Sequence, residues 1–183
     1  RAVDNQNSNE DERSFARIST AISKYWITKR APYLVFEALE CHGGPGYIEE
    51  SIMPRLYREA PLNSIWEGSG NVMCLDVLRA LQRDKNALPS LFRELASAKG
   101  SNKNFDESFS HLKETLQDPI DLEIEARLLT EKMACLIQAS IFIKSGEEEK
   151  VSAFCNSRLG PRWSGAFGTL PTDTSFEYIM GGL

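Results

Sequence analysis

Between Phe15 and Leu39, apolar side chains recur at Phe15, Ile18, Ile22, Trp26, Tyr33, Leu34, Phe36 and Leu39, mostly three or four residues apart. Residues so spaced share one face of an α-helix, because 3.6 residues complete a turn. The period predicts one long helix, or a helix bent at Pro32, where the ring removes a backbone donor and crowds the preceding turn. No stretch of the chain alternates apolar and polar residues as a half-buried strand does. The expected fold is therefore all-α, a helical bundle.

The rest of the chain follows the same rule between glycine and proline breaks. Gly43-Gly44-Pro45-Gly46 is expected to stop helical structure, Pro54 to open a short helix through Arg58, and Pro61 to end it. Gly68-Ser69-Gly70 forms a second break, after which Ser69 or Asn71 can cap a helix carrying Val72, Leu75, Val77, Leu78 and Leu81. Further helices are predicted over 88–98, 105–117, 120–144 and 147–157. In the third of these, Ile120, Ile124, Leu128, Met133, Leu136, Ile137, Phe142 and Ile143 are expected to form the buried stripe. Residues 159–171 hold three glycines and two prolines and read as loop, ahead of a short helix over 176–180. The first twelve residues, rich in Asp, Asn and Glu, read as a loop or a frayed, disordered terminus.

Composition narrows the classes of function. In 183 residues the formal net charge is −5, which argues against holding nucleic acid by overall charge. After Gln82 basic residues such as Arg83, Lys85, Arg93, Lys103 and Lys132 are offset by acids, including the run Glu147 to Glu149. Arg158 and Arg162 flank a glycine-proline loop, where solvation or surface pairing is the simplest role. No apolar run is long enough to span a bilayer. The start, Arg1-Ala2-Val3-Asp4, has neither an apolar leader nor an initiator Met, as expected of part of a longer product. Four widely spaced cysteines without a CxxC pair, and two histidines without HxxxH spacing, predict reduced thiols in a cytoplasmic chain and no metal site. Cys74 and Cys135 read as buried apolar positions, and Phe15, Trp26 and Phe36 as core.

The densest run of unusual residues lies between Cys41 and Asp76, where two glycine turns bracket a basic helix. Glycine turns bring bare N–H groups close to a ligand, although turns between helices are more often purely structural. Glu67 sits between Trp66, which is placed to desolvate it, and Gly68, which leaves room for a substrate. Spacing alone is satisfied by an exposed turn carboxylate. Arg55 and Arg58, one helical turn apart, are expected to pair with Glu49, Glu50 or Glu59. His42 reads as a loop histidine bonded to backbone.

The string GGPGYIEESIMPRLYREAPLNSIWEGSGN, running on through VMCLDVLRAL, resembles the signature region of acyl-CoA dehydrogenases, and within them the AidB-like branch. The resemblance is strongest from about Phe15 to Leu81. It implies that residues 13–84 are part of the family's C-terminal helical domain and that 85–183 are a helical C-terminal extension. By position in the motif, Glu67 falls on the catalytic carboxylate, the base that removes the α-proton of an acyl-CoA while the β-hydrogen leaves as hydride to FAD. Ser69 and Asn71 fall on flavin contacts. Gly43 and Gly44 fall on the turn that touches the FAD of a neighbouring subunit, so a homo-oligomer is implied. Glu40 stands where many members have Gln, which puts a carboxylate near FAD phosphates, and Trp66 replaces the usual Tyr. The branch is also associated with DNA binding in the response to alkylation damage. Because the family's earlier domains supply much of the flavin site, this chain by itself is expected neither to retain FAD nor to turn over substrate.

Overall fold

A computed structural model describes residues 1–117, 122–161 and 163–181, and every regular element among them is helical. In chain order these are α1 (Ala2–Asn5), α2 (Glu10–Cys41), α3 (Gly44–Tyr47), α4 (Met53–Glu59), a 3-10 turn (Ala60–Ser64), α5 (Gly70–Arg83), α6 (Ala87–Ala96), α7 (Lys103–Gln117), α8 (Leu122–Ser145), α9 (Glu148–Arg158) and α10 (Phe176–Met180). The all-α expectation holds. Among the described residues, no helix is long and apolar enough to cross a membrane.

The spine is α2, whose 32 residues extend about 48 Å at 1.5 Å per residue. It begins on Asn9, an extended residue whose side chain accepts from the Glu12 amide at 3.1 Å. Glu10, Asp11 and Glu12 then place negative charge against the positive end of the helix dipole. The first twelve residues are thus not the loop expected: their acids form the opening turn of α2, and α1 precedes it. Arg1 joins this end to the bundle through Glu12 at 3.1 Å and Glu94 of α6 at 2.7 Å, and Lys144 of α8 also bonds Glu94. Burial alone would raise the Glu94 pKa, but hydrogen bonds from Arg1 and Lys144 outweigh it and hold the carboxyl below its usual range. The helix runs through Pro32 without a break.

One face of α2 packs on α5, α6 and α8. Ile18 and Ile22 of α2, Val77 of α5, Leu91 and Leu95 of α6, Phe105, Phe109 and Leu112 of α7, and Leu129, Met133 and Leu136 of α8 form one buried cluster. Each such side chain contributes roughly 1.5–3 kcal/mol through lost apolar exposure. In α8 the buried stripe is Ala126, Leu129, Met133, Leu136 and Ser140. Ile124 is 82% exposed and Leu128 48%, contrary to the expected stripe, because each lies two residues, about 200° around the helix, from Ala126. The predicted start at Ile120 lies outside the described residues.

Beyond Trp26 the apolar period of α2 faces outward. Tyr33, Leu34 and Phe36 are exposed, with Phe36 resting on the Tyr57 ring at 5.9 Å, so Phe36 is not the core residue expected. As expected, α2 stops at Cys41 ahead of Gly43 and α4 ends at Glu59 ahead of Pro61; the short α3 inside the glycine run and the 3-10 turn at Pro61 are additions to that reading. Pro45 sits in the first turn of α3, and Pro61 near the start of the 3-10 turn, positions where its missing N–H costs little. Cys74 and Cys135 are buried as expected, and Trp26 is core.

The 159–171 loop folds back onto α2 through Arg30. Its Nη1 donates to the Gly165 carbonyl at 2.8 Å, and its guanidinium lies 4.3 Å from the Phe167 ring centroid and 5.4 Å from that of Trp163. Its buried Nη2 has no oxygen partner among the described residues, so aromatic faces supply the compensation. Arg162 lies outside the described residues. Urea unfolding checks the corrected α8 stripe: Leu129→Ala should cost about 2–5 kcal/mol and Ile124→Ala less than about 0.5 kcal/mol.

Candidate active site

Glu67 is the one non-glycine residue with positive φ among those described, at 53°. An L-residue pays about 1–2 kcal/mol for this left-handed backbone. The reason is local: with Gly68 at φ 107°, two successive left-handed residues turn the chain from the 3-10 segment into α5. A Cβ on Gly68 would fall 2.7 Å from Met73 Sδ, and one on Gly70 would collide with Lys29 Cε of α2, so the turn lies close against the spine.

Lys24 of α2 holds the turn from below. Its Nζ donates to the Trp66 carbonyl at 3.0 Å and to the Gly68 carbonyl, the two on either side of Glu67. The Glu67 carboxylate itself accepts no hydrogen bond and joins no ion pair among the described residues, and it is exposed. Trp66 is 57% exposed and does not desolvate Glu67 as expected. The turn therefore presents a carboxylate with fixed backbone and open valences.

Ser69 follows as the N-cap of α5, with an extended backbone (φ −66°, ψ 166°) and no side-chain capping bond. Asn71 lies inside the first turn rather than at the cap, and its Oδ1 accepts from Arg127 Nε of α8 at 3.3 Å. Both side chains are exposed. The Ser69 hydroxyl and the Asn71 amide nitrogen remain available to an outside ligand.

Gly43 and Gly44 sit beyond the C-terminal end of α2. Gly43 needs positive φ, at 61°, and its N–H donates to the Glu40 carbonyl at 2.9 Å. A Cβ on Gly44 would meet nothing within 4 Å, whereas one on buried Gly46 would collide with the Leu39 carbonyl. Packing within the chain thus explains Gly46 but not Gly44, whose bare backbone faces outward. Glu40 is exposed without an ion pair among the described residues. His42 Nδ1 lies 2.8 Å from the Ala38 carbonyl, the backbone bond expected. Arg58 pairs with Glu49 at 2.6 Å and Arg55 with Glu59 at 2.8 Å, as ordinary surface pairs.

The five candidates fall into two groups along α2. Glu67, Ser69 and Asn71 lie near Lys24 and Lys29, while Gly43 and Gly44 lie past Cys41, which at 1.5 Å per residue is roughly 18 Å farther along the axis. Among the described residues, no three His, Cys, Asp or Glu side chains gather as a metal site.

The helical bundle, with its strained Glu-Gly turn against the spine, defines an all-helical domain. Residues 1–82 match the family model "Acyl-CoA dehydrogenase, C-terminal domain", and this part of the chain belongs to the acyl-CoA dehydrogenase family. It is 40% identical to AidB of Escherichia coli (strain K12) over 151 residues, 82% of this chain and 28% of AidB. Identity to acyl-CoA dehydrogenase family member 11 of Caenorhabditis elegans is 34% over 113 residues, 62% of this chain and 18% of that protein. The crystal structure of Caenorhabditis elegans ACDH-11 in complex with C11-CoA superposes with a TM-score of 0.75 at 25% identity, over 83% of this chain and 30% of that one. The chain thus spans less than a third of the length of these relatives.

Lys24 was missed by sequence reasoning, since no motif or spacing links it to a turn 42 residues away. Two substitutions test the turn. Glu67→Gly should stabilise the chain by about 1 kcal/mol, measured by urea unfolding, by removing left-handed strain. Lys24→Met should cost about 1–3 kcal/mol and speed amide hydrogen exchange in the 66–70 turn.

Proposed function

We propose that the protein of which this chain forms the C-terminal part is a flavin-dependent acyl-CoA dehydrogenase with Glu67 as its base. The observation that carries this reading is the backbone of Glu67. A turn costing about 1–2 kcal/mol of strain, pinned on both sides by Lys24, holds out a carboxylate that no side chain among the described residues pairs with. Strain of this kind persists where function requires it.

In the proposed reaction the thioester acidifies the substrate α-carbon, and Glu67 takes the α-proton onto its carboxylate. The β-hydrogen would leave as hydride, for which FAD, when bound, would supply the acceptor. The product is a trans-2-enoyl-CoA. The free hydroxyl of Ser69 and the free amide nitrogen of Asn71, beside Glu67, have the donor chemistry to hold the flavin. Bare backbone at Gly43 and Gly44 suits close approach by the FAD of a second subunit, and their distance from Glu67 along α2 supports a homo-oligomer. So do the exposed apolar residues concentrated from Ile27 to Val72, among them Tyr33, Leu34, Ile52 and Ile65, a surface fit for covering by another domain or subunit. The acyl-CoA bound in the Caenorhabditis elegans structure supports the substrate class. A DNA-binding role has less support: Arg93, Lys103, Lys144 and Lys150 each pair with a carboxylate.

In the full-length protein, Glu67→Gln should reduce acyl-CoA-dependent flavin bleaching by at least about a thousandfold. Bleaching at the unaltered rate would remove Glu67 as the base. The 183-residue chain alone should purify without flavin, because it holds too few contacts to position the cofactor. Stoichiometric flavin absorbance would contradict that.

A further inference from the structure

A second cavity lies far along the chain from the Glu67 turn, between α7, α8 and the segment that follows α9, with a volume of about 470 Å³. That is within the range of small-molecule sites. Leu128, Cys135, Leu159 and Trp163 give it apolar walls. Leu128 owes its exposure to this position, since it points away from the buried stripe of α8.

Its charges are unevenly satisfied. The cavity is lined by two carboxylates, Glu131 and Glu107, and both are engaged. Glu131 Oε1 accepts from Trp163 Nε1 at 2.6 Å, and Glu107 pairs with Lys103 at 3.6 Å. Among the described residues the lining carries the cations Arg158 and Lys132, and neither has a carboxylate partner or donates a side-chain hydrogen bond there. Arg158 is half-buried, with its guanidinium 4.4 Å from the Trp163 ring centroid. Burial and the nearby Arg30 guanidinium push its pKa down from the usual arginine range, so the charge is held where it is poorly solvated. The Trp163 face offsets part of that cost, and the guanidinium N–H donors are left open to a planar anion. His111 adds a ring nitrogen at the rim: its Nδ1 lies 3.2 Å from Thr115 Oγ1, which leaves Nε2 free.

We propose that this cavity binds a small organic carboxylate with a flat apolar body, its carboxylate on Arg158 and Lys132 and its body against Leu128, Leu159 and Trp163. The planar fork of Arg158 matches a carboxylate bidentately. A monoanion suits the balance, because a dianion would face repulsion from Glu131 and Glu107 across the same space. The site uses neither Glu67 nor the glycine turns, so it stands or falls independently of the proposed dehydrogenase reaction.

Isothermal titration of the full chain with 3-phenylpropionate, 3-phenylpropionamide and inorganic phosphate tests this. The carboxylate should bind with a sub-millimolar constant, and the amide and phosphate should each bind at least roughly tenfold more weakly. Arg158→Gln should weaken the carboxylate at least about tenfold and Lys132→Gln about threefold, while Lys99→Gln leaves it unchanged. If Arg158→Gln fails to fold, the Lys132→Gln change and the acid-to-amide ratio on the unaltered chain decide. Equal binding of acid and amide, phosphate binding tighter than phenylpropionate, unaltered binding by a folded Arg158→Gln, or no binding of phenylpropionate at about 10 mM would each overturn the proposal.

Discussion

Ile18 and Ile22 are fully buried where α2 crosses the bundle, in one cluster with side chains of α5, α6 and α8. With these residues held against α5, α6 and α8, the polar side of α2 is fixed in space as well. Lys24 is then under the 66–70 turn, Lys29 is against Gly70, and Arg30 is under the 159–171 loop. A rotation of α2 by one residue, about 100°, would undo all three. One hydrophobic seam thus sets the register of the candidate active site and of the C-terminal loop.

The two ends of the spine do different work. Its first half is buried and contributes the folding energy. Its second half carries Tyr33, Leu34 and Phe36 outward, beside the exposed Ile48, Ile52, Leu62 and Ile65. That surface is apolar and uncovered among the described residues, unlike the first half of the spine. The strained turn fits the same picture. The left-handed backbone of Glu67 serves the turn into α5, whereas its carboxylate makes no hydrogen bond or ion pair among the described residues and is open to something that docks against it.

Much of the fold was legible in the sequence because helical period and glycine or proline breaks are local signals. They located α5 through α9 to within a few residues. What failed was the assignment of faces. Ile124, Leu128 and Phe36 fit an apolar period, but which period is buried depends on partners distant in sequence. The acidic start was misread because the Asn9 cap and the following acids look like a solvated tail until a helix follows them. For the site, the motif singled out Glu67, Ser69, Asn71, Gly43 and Gly44, and nothing in it revealed that Lys24 would hold the turn. Likewise, the pairing of Trp163 with Glu131, and the guanidinium over that ring, join segments with no sequence signal between them.

Glu67 can act as the proposed base only if its turn aims the carboxylate at a substrate carbon. A crystal structure of the full-length protein with flavin and an unreactive thioether analogue of an acyl-CoA measures this directly. The account predicts Glu67 still left-handed, Lys24 on both flanking carbonyls, and a carboxylate oxygen about 3–3.5 Å from the carbon that would lose the proton. A relaxed backbone at Glu67, or a carboxylate turned into solvent more than about 6 Å from that carbon, would contradict it.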